Sequence, residues 1–434
     1  MRSRLTVALG RTARLAARVR GGGSGGTAFP GLVMERTDPG FLERTLGRLP
    51  RGVIVVSGTN GKTTTTKMVV QLLREQGLKV FTNRTGSNFV RGVLASLLTE
   101  VDAAGNLDAD IAVLELDEAH AVHFVARVRP RACLLLNVMR DQLDRFGEID
   151  YTASLLHSIA QATSDVVVLN GDDPRLAAPA FLEGVSARVV SFGAGEDLRS
   201  LFLSDDDLRT GLVSPRQAGQ APGPRVTLEA IDGQRATVRV DGVSHEVSFA
   251  IPGVHNLLNA CAALGVVLEV LGEDADLPGL LATLGTVQAA FGRGEVLTLD
   301  GRPVQLSLVK NPAGFRMGLL SAASQDGEVV VVAINDEYAD GRDMSWLWDV
   351  DFSALRAGGV AVVTGVRAWD MALRLHYDEV EVAEVEPDLR RAVALMRRLA
   401  ADTDRPMRIF TTYTAMLALR SILGEMTDVE EVMS

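Results

Sequence analysis

Cysteine is nearly absent from this chain: among 434 residues only Cys133 and Cys261 occur, and neither has a second cysteine at C-x-x-C spacing. A disulfide scaffold and a four-cysteine zinc site are therefore excluded. Positive charge is in deficit, with 44 Lys and Arg against 55 Asp and Glu and a formal net charge of −11. No overall positive field exists to draw in a polyanion, so nucleic acid is not an expected partner. No run of 18 or more apolar residues occurs, so no membrane-spanning helix is expected. What is present is an ordinary globular composition, 47% hydrophobic and 23% charged, in a length that suits roughly two or three domains. The expectation is a soluble cytoplasmic protein with a sizeable core.

The cations that do occur are unevenly spread. Residues 1–20 hold six arginines and no acid, with Leu5, Val7, Leu9, Leu15, Ala16 and Val19 interleaved. Gly10 and the arginines interrupt the continuous apolar core that a signal peptide needs. Two readings remain, a basic amphipathic helix resting on anionic lipid or a partner, and a solvated surface helix. Gly21-Gly22-Gly23-Ser24-Gly25-Gly26 then forms a hinge.

Beyond it, the runs Ile54–Val56, Ile111–Leu116, Cys133–Asn137 and Val166–Leu169 predict strands buried on both faces, separated by stretches long enough for crossover helices. The stretch 193–250 alternates in hairpin fashion around Asp241-Gly242. Helical segments follow at 256–271 and near 277–286. After Gly294 the α/β alternation restarts, with strands expected at Val304–Val309, Val329–Ile334, Val360–Thr364 and Arg408–Thr412.

The strongest local signal is Gly58-Thr59-Asn60-Gly61-Lys62-Thr63-Thr64, which follows a buried strand and opens a helix through Met68, Val69 and Leu72. Glycines let backbone N–H groups curl around phosphate oxygens, the helix N-terminus adds a positive dipole, Lys62 supplies a cation and Thr63 a hydroxyl for Mg²⁺. The spacing G-x-x-G-K-T is two residues shorter than the usual G-x-x-x-x-G-K-[ST]. Divalent metal needs hard oxygen ligands beside those phosphates. Glu115, Asp117 and Glu118 end one expected strand, and Asp141 and Asp144 follow another. Any one of these acids alone could be a plain helix cap, but two acid clusters after two successive strands favour a metal site.

In order along the chain, the loop at 58–64, Glu115-Leu116-Asp117-Glu118, the segment Asn137–Asp144, Asn170-Gly171-Asp172-Asp173-Pro174, Gly253–Asn259 and Gly292-Arg293-Gly294-Glu295 resemble the Mur ligase superfamily. The resemblance implies an α/β chain: a Mur ligase-type central P-loop ATPase domain at 50–296, with a parallel sheet and a small antiparallel insertion, then a C-terminal α/β domain at 297–434. Residues 1–49 form the basic helix and hinge. Gln142 replaces the family's metal-binding histidine, and no lysine lies in 150–157 where others carry a carbamylated one. With Asn83–Asn88, Lys310–Phe315, Asp343–Asp349 and Thr364–Ala368, these departures resemble the branch that amidates a lipid-linked precursor with ammonia from a glutaminase. Many members carry a zinc ribbon in the insertion, but 193–250 lacks cysteine, so no zinc is expected.

That resemblance implies the cofactors ATP and Mg²⁺ and amidation of the D-glutamate α-carboxylate of lipid II through an acyl phosphate. It implies a GatD-type glutaminase partner, and a cytoplasmic location at or near the inner face of the membrane. ATP contacts fall on Gly58, Thr59, Asn60, Gly61, Lys62, Thr63, Thr64, His255, Asn256, Asn259 and Arg293; Mg²⁺ ligands on Thr63 and Glu115. Catalytic roles fall on Lys62, Arg293 and Asp349, the last completing the partner's glutaminase triad, with Trp346 and Trp348 beside it on one side of an extended segment. Arg84, Thr85, Ser87 and Asn88 are the stem-peptide candidates. The rival expectation is a free-standing ligase, like folylpolyglutamate synthetases, that joins an amino acid to a carboxylate.

Overall fold

The computed structural model describes residues 2–20, 28–83, 87–140, 149–210, 221–288, 293–323, 327–403 and 405–427. The chain divides into two compact units. One comprises Met1–Val138, Ile149–Ile251 and Asn256–Val287, and the other comprises Met139–Glu148, Pro252–His255 and Gln288–Ser434.

The first unit opens with helices α1 (Arg2–Arg20) and α2 (Ala28–Thr37). Strand β1 (Val53–Ser57) and helix α3 (Lys62–Glu75) follow, then β2 (Val80–Thr82), α4 (Val90–Glu100), β3 (Ile111–Glu115), α5 (Glu118–Val125) and β4 (Ala132–Leu135). Next come β5 (Val166–Asn170), β6 (Arg188–Ala194), β7 (Pro224–Asp232), β8 (Arg235–Val240), β9 (Val243–Ser248) and α6 (Val254–Leu271). One sheet joins all nine strands in the order β2-β3-β1-β4-β5-β6-β7-β8-β9. Strands β1, β3, β4 and β5 are buried along their whole length, as their almost wholly apolar content requires when helices cover both faces. Pairing is parallel from β2 through β7 and antiparallel in β7-β8-β9. The hairpin stretch therefore continues the main sheet instead of standing apart from it.

β1 lies between β3 and β4, so the chain passes from one side of β1 to the other as it runs from β3 to β4. Loops leaving the carboxyl ends of β1, β3 and β4 converge at that reversal, where open parallel sheets bind ligands. Helix α6 is long and apolar enough to cross a membrane, but 78% of its apolar window is buried inside the protein. It is a core helix, with Leu257, Ala260, Leu264 and Val267 closed off from solvent.

The second unit contains β10 (Arg293–Leu299), β11 (Arg302–Leu308), β12 (Val329–Ala333), β13 (Val360–Thr364), helix α7 (Ala368–Tyr377), β14 (Val382–Val385) and β15 (Met407–Thr411). Its sheet runs β10-β11-β15-β12-β13-β14, with only β10–β11 antiparallel. Phe315, Val332, Phe352, Met371 and Phe410 fill one face of that sheet, and Leu306, Val331, Met396 and Ile409 the other. Arg408 on β15 is fully buried, its guanidinium donating to Glu328 with Nη2 to Oε1 at 2.9 Å. A buried cation is tolerated only with such a partner.

Helices α1, α2 and α4 pack as a layer beside the first sheet, and small residues set their approach. Gly10 faces Leu98 and Met34, and a Cβ at Gly31 would fall 1.9 Å from the Arg91 carbonyl oxygen. Gly31→Ala is therefore expected to push α2 from α4 and cost about 2 kcal/mol of stability, the usual scale of overpacking. Denaturant unfolding of the two proteins would measure it, and an unchanged midpoint would refute the close approach.

Candidate active site

The chain leaves β1 at Ser57 and turns through two glycines that only glycine suits. Gly58 and Gly61 have φ of 130° and 87°, and Gly61 is the left-handed N-cap of α3. The turn is pinned from the end of β4. Asn137 accepts from Thr59 N through its main-chain oxygen at 3.0 Å and from Asn60 N through Oδ1 at 2.8 Å. Its Nδ2 donates back to the Asn60 carbonyl at 3.1 Å. The first turn of α3, including Lys62, Thr63 and Thr64, is thereby fixed with its positive dipole end at the mouth of the loop.

Lys62 is buried, and its ammonium donates to the Gly58 carbonyl and to both Glu118 carboxylate oxygens, at 3.3 and 3.2 Å. Beside it, Thr63 Oγ1 donates to Glu115 Oε1 at 2.9 Å. The parallel register that sets Val56 opposite Glu115 brings the two acids to the loop. The backbone of Glu115 is held in turn by Asn83, whose Nδ2 donates to Glu115 O at 2.8 Å and whose Oδ1 accepts from Glu115 N at 2.9 Å. The same Nδ2 donates to Ser87 O at 3.0 Å, and Asp117 N donates to Asn88 O at 3.2 Å. The 83–88 segment is thus tied to the carboxylates through its described ends.

Asn259 of α6 closes another side of the loop, since a Cβ at Gly61 would lie 2.7 Å from its Oδ1. Asn256 is buried one turn earlier. His255 and Asp349 belong to the second unit. Arg84, Thr85, Gln142, Asp141 and Asp144, and the side chain of Arg293, lie outside the described residues.

The segment around Asp349 is a 3₁₀ turn, Ser345–Asp349, not an extended strand. This corrects the expectation for the two tryptophans, because Trp346 points into the core at 7% exposure while Trp348 stands out at 51%. Arg374 holds the turn, donating to Leu347 O at 3.1 Å and Val350 O at 2.6 Å and lying over the Trp348 ring. Asp349 Oδ2 accepts from Arg140 Nη1 of the same unit at 3.2 Å. The Asp carboxylate that caps the following turn is Asp351, which accepts from Ser353 N.

Sequence reasoning offered Glu118 only as one of a cluster of acids for a metal and assigned no individual role to Asn137 or Asp173, although all three sit in the quoted motifs. Asp173 is enclosed and accepts from Val138 N at 2.6 Å, Arg175 N at 3.0 Å and Leu176 N at 3.1 Å, fastening the end of β4 to the turn after β5. Burial pushes its carboxyl up to about 6, with the three N–H donors only partly opposing. Both thiols, Cys133 and Cys261, are pushed up to about 12 by burial and are unreactive.

For magnesium, the donor set is a hydroxyl and a carboxylate, both hard oxygens, facing the same loop mouth. No group of three or more His, Cys, Asp or Glu capable of caging a metal occurs among the described residues. That fits an ion held by one or two protein oxygens and completed by phosphates and water, the habit of Mg²⁺.

The Mur ligase middle domain matches residues 56–267, and the MurT ligase C-terminal domain matches residues 308–416. The chain is 29% identical to the lipid II isoglutaminyl synthase (glutamine-hydrolyzing) subunit MurT of Streptococcus pneumoniae, covering 94% of this chain and 95% of that protein. It is also 29% identical to the Staphylococcus aureus (strain COL) protein of the same name, over 91% and 92%. Among solved structures, MurF from Acinetobacter baumannii aligns with a TM-score of 0.68 at 18% identity, covering 91% of this chain and 80% of that one. MurF from Thermotoga maritima in complex with ADP aligns with a TM-score of 0.66 at 19% identity, over 89% and 82%. The chain belongs to the Mur ligase superfamily, a class of ATP-dependent ligases, and within it to the MurT branch.

A raised acid binds its proton more tightly in the folded than in the unfolded chain, so Asp173 favours folding at low pH and loses that contribution as pH rises through about 6. Asp173→Asn is expected to remove this slope and, by losing the Val138 bond, to lower stability overall by about 1–3 kcal/mol. Unfolding midpoints from pH 4 to 7 test it, and parallel pH curves for the two proteins would contradict the assignment.

Proposed function

We propose that this enzyme amidates the α-carboxylate of D-glutamate in the lipid II stem peptide, giving D-isoglutamine for peptidoglycan. It consumes ATP in the cytoplasm and takes ammonia from a GatD-type glutaminase subunit. The observation that carries the reading is the buried constellation of Lys62, Thr63, Glu115 and Glu118 around a glycine loop, in a chain similar to MurT subunits along nearly its whole length.

A carboxylate does not react with ammonia until one of its oxygens can leave. In the first step a substrate carboxylate oxygen attacks the γ-phosphorus of ATP, the bond to the β-phosphate oxygen breaks, and ADP departs. Ammonia then attacks the acyl carbon, the phosphate leaves with the former carboxylate oxygen, and the nitrogen loses a proton to give the amide. Both reactants of the first step are anions, so positive charge at the transferring phosphoryl group lowers the barrier. Lys62 supplies it, exchanging Glu118 and Gly58 O for phosphate oxygens. The backbone N–H groups at the start of α3 cradle the phosphates, and Asn259, packed against Gly61, is assigned to the nucleotide with them. Thr63 and Glu115 would hold Mg²⁺, which when bound neutralises the phosphate oxygens. Arg293 is assigned to the same charge, and Ser87 and Asn88, with Arg84 and Thr85, to the stem peptide.

Ammonia must arrive unprotonated, because ammonium has no lone pair, and a glutaminase subunit that releases it on the enzyme meets that need. The second unit supports such a partner. Trp369, Leu373 and Tyr377 share one exposed face of α7 by their i, i+4, i+8 spacing, and Trp348 packs edge-on against Tyr377 at 5.2 Å beside Asp349. Aromatic anchors next to a carboxylate suit an interface centre. There Asp349 releases Arg140 and orients the partner's catalytic histidine, as the third member of a triad does.

Two outcomes follow. Lys62→Ala is expected to cut amide formation about 100-fold or more without dissociating the complex, read by mass spectrometry of the muropeptide product. Asp349→Asn is expected to lower glutamine-dependent amidation on the order of 10³-fold while ammonium-driven amidation stays within about twofold. Normal glutaminase turnover in that variant complex would overturn the role of Asp349. Transfer of a free amino acid by the chain alone would overturn the amidation reading itself.

A further inference from the structure

Helix α1 carries two unlike faces. Thr6, Val7, Gly10 and Ala13 face inward, where Gly10 meets Leu98 of α4 and Met34 of α2. The opposite face is apolar and turned to solvent: Leu5, Leu9 and Leu15 are 57%, 41% and 65% exposed, with Ala8, Thr12 and Ala16 between them. At 100° per residue these six positions form one continuous arc. Arg4 and Arg11 border the arc on one edge and Arg2 on the other. The 19-residue helix contains six arginines and no acid, in a chain whose formal net charge is −11. Arg11 donates to the Val101 carbonyl at 3.0 Å, while Arg4 is exposed and Arg2, 3.9 Å from Asp38, keeps a side chain that is 71% exposed.

We infer that the outer face of α1 is a docking surface for an anionic phospholipid bilayer. An apolar arc flanked by arginines lies in the headgroup plane, leucines towards the acyl chains and guanidinium groups among the phosphates. The charge pattern selects this occupant. A second copy of the same helix would set arginines against arginines, and the strongly acidic remainder of the chain offers a membrane of negative potential nothing else as basic. Because the inner face is already packed in the protein, the helix docks without having to fold at the membrane. α1 rests on Leu98 and Val101 at one end of α4, and the other end begins at Val90, beside Asn88 and the Glu115 segment.

The inference goes beyond the amidation reading and is tested without substrate. The full chain is sedimented with vesicles of phosphatidylcholine alone and of phosphatidylcholine with roughly 30% phosphatidylglycerol, at low and high salt. Binding is expected only to the anionic vesicles, is expected to fall with salt, and is expected to drop about tenfold or more in the Leu5→Glu, Leu9→Glu, Leu15→Glu triple variant, whose substitutions lie on the solvent face. Nucleotide binding and the unfolding midpoint of that variant are expected to match the parent, which separates a lost docking face from a lost fold. Equal binding by parent and variant, or no binding by the parent, would overturn the proposal. So would sedimentation equilibrium showing, without vesicles, a dimer that the triple variant dissolves, since the face would then belong to a second copy.

Discussion

A buried lysine cannot stay charged without a counter-charge, and the loop after β1 is organised around that constraint. Lys62 is nearly enclosed, so Glu118 and the Gly58 carbonyl take its ammonium. Glu118 can do so because it opens α5 three residues beyond Glu115, whose own carboxylate takes the Thr63 hydroxyl. Two acids from the end of one strand thus serve the two neighbouring residues at the start of α3. The arrangement fixes the glycine loop and the first turn of α3 against the end of β3.

Around this pair the structure spends its buried polar groups on backbone. Asn83 grips both amide groups of Glu115, Asn137 grips the loop at two residues, and Asp173 gathers three N–H groups. Each replaces water for backbone at a strand end or in a loop, which is what buried backbone without a ladder partner requires. The second unit solves the same problem with a cation. Arg374 donates to two carbonyls of the Ser345–Asp349 turn and its flank, pairs with Asp378 and lies over the Trp348 and Phe352 rings. The turn that presents Asp349 is therefore rigid from below while its outer side stays open.

Much of the fold was legible because buried parallel strands are nearly pure Val, Ile and Leu. β1, β3, β4 and β5 fall on the runs at 54–56, 111–116, 133–137 and 166–169, and β11, β12, β13 and β15 on the later four. β6 and β10 went unread, as did β2 and β14, the last two for physical reasons that are plain. β2 is three residues long, and β14 has no fully buried position, so neither shows periodicity. The glycine loop was legible because its chemistry is contiguous, with glycines, lysine and threonine adjacent in the chain. Asn137 was quoted in a motif but given no role, and Glu118 was read only as one of a cluster of acids for a metal, since their partners Asn60 and Lys62 lie 77 and 56 residues away. The tryptophans were misjudged because alternation was assumed where a 3₁₀ turn puts neighbours on different sides.

The sequence by itself determined the α/β alternation, the phosphate loop with its lysine and threonine, and the concentration of arginine at the start of the chain. Each is written locally, in composition or in spacing of a few residues. Only the tertiary structure decided which acid meets Lys62 and which meets Thr63, because the parallel register of β1 and β3 sets that choice. It alone decided that α1 buries its small residues and turns its leucines outward, because a helix wheel shows two faces and the neighbouring α2 and α4 choose between them.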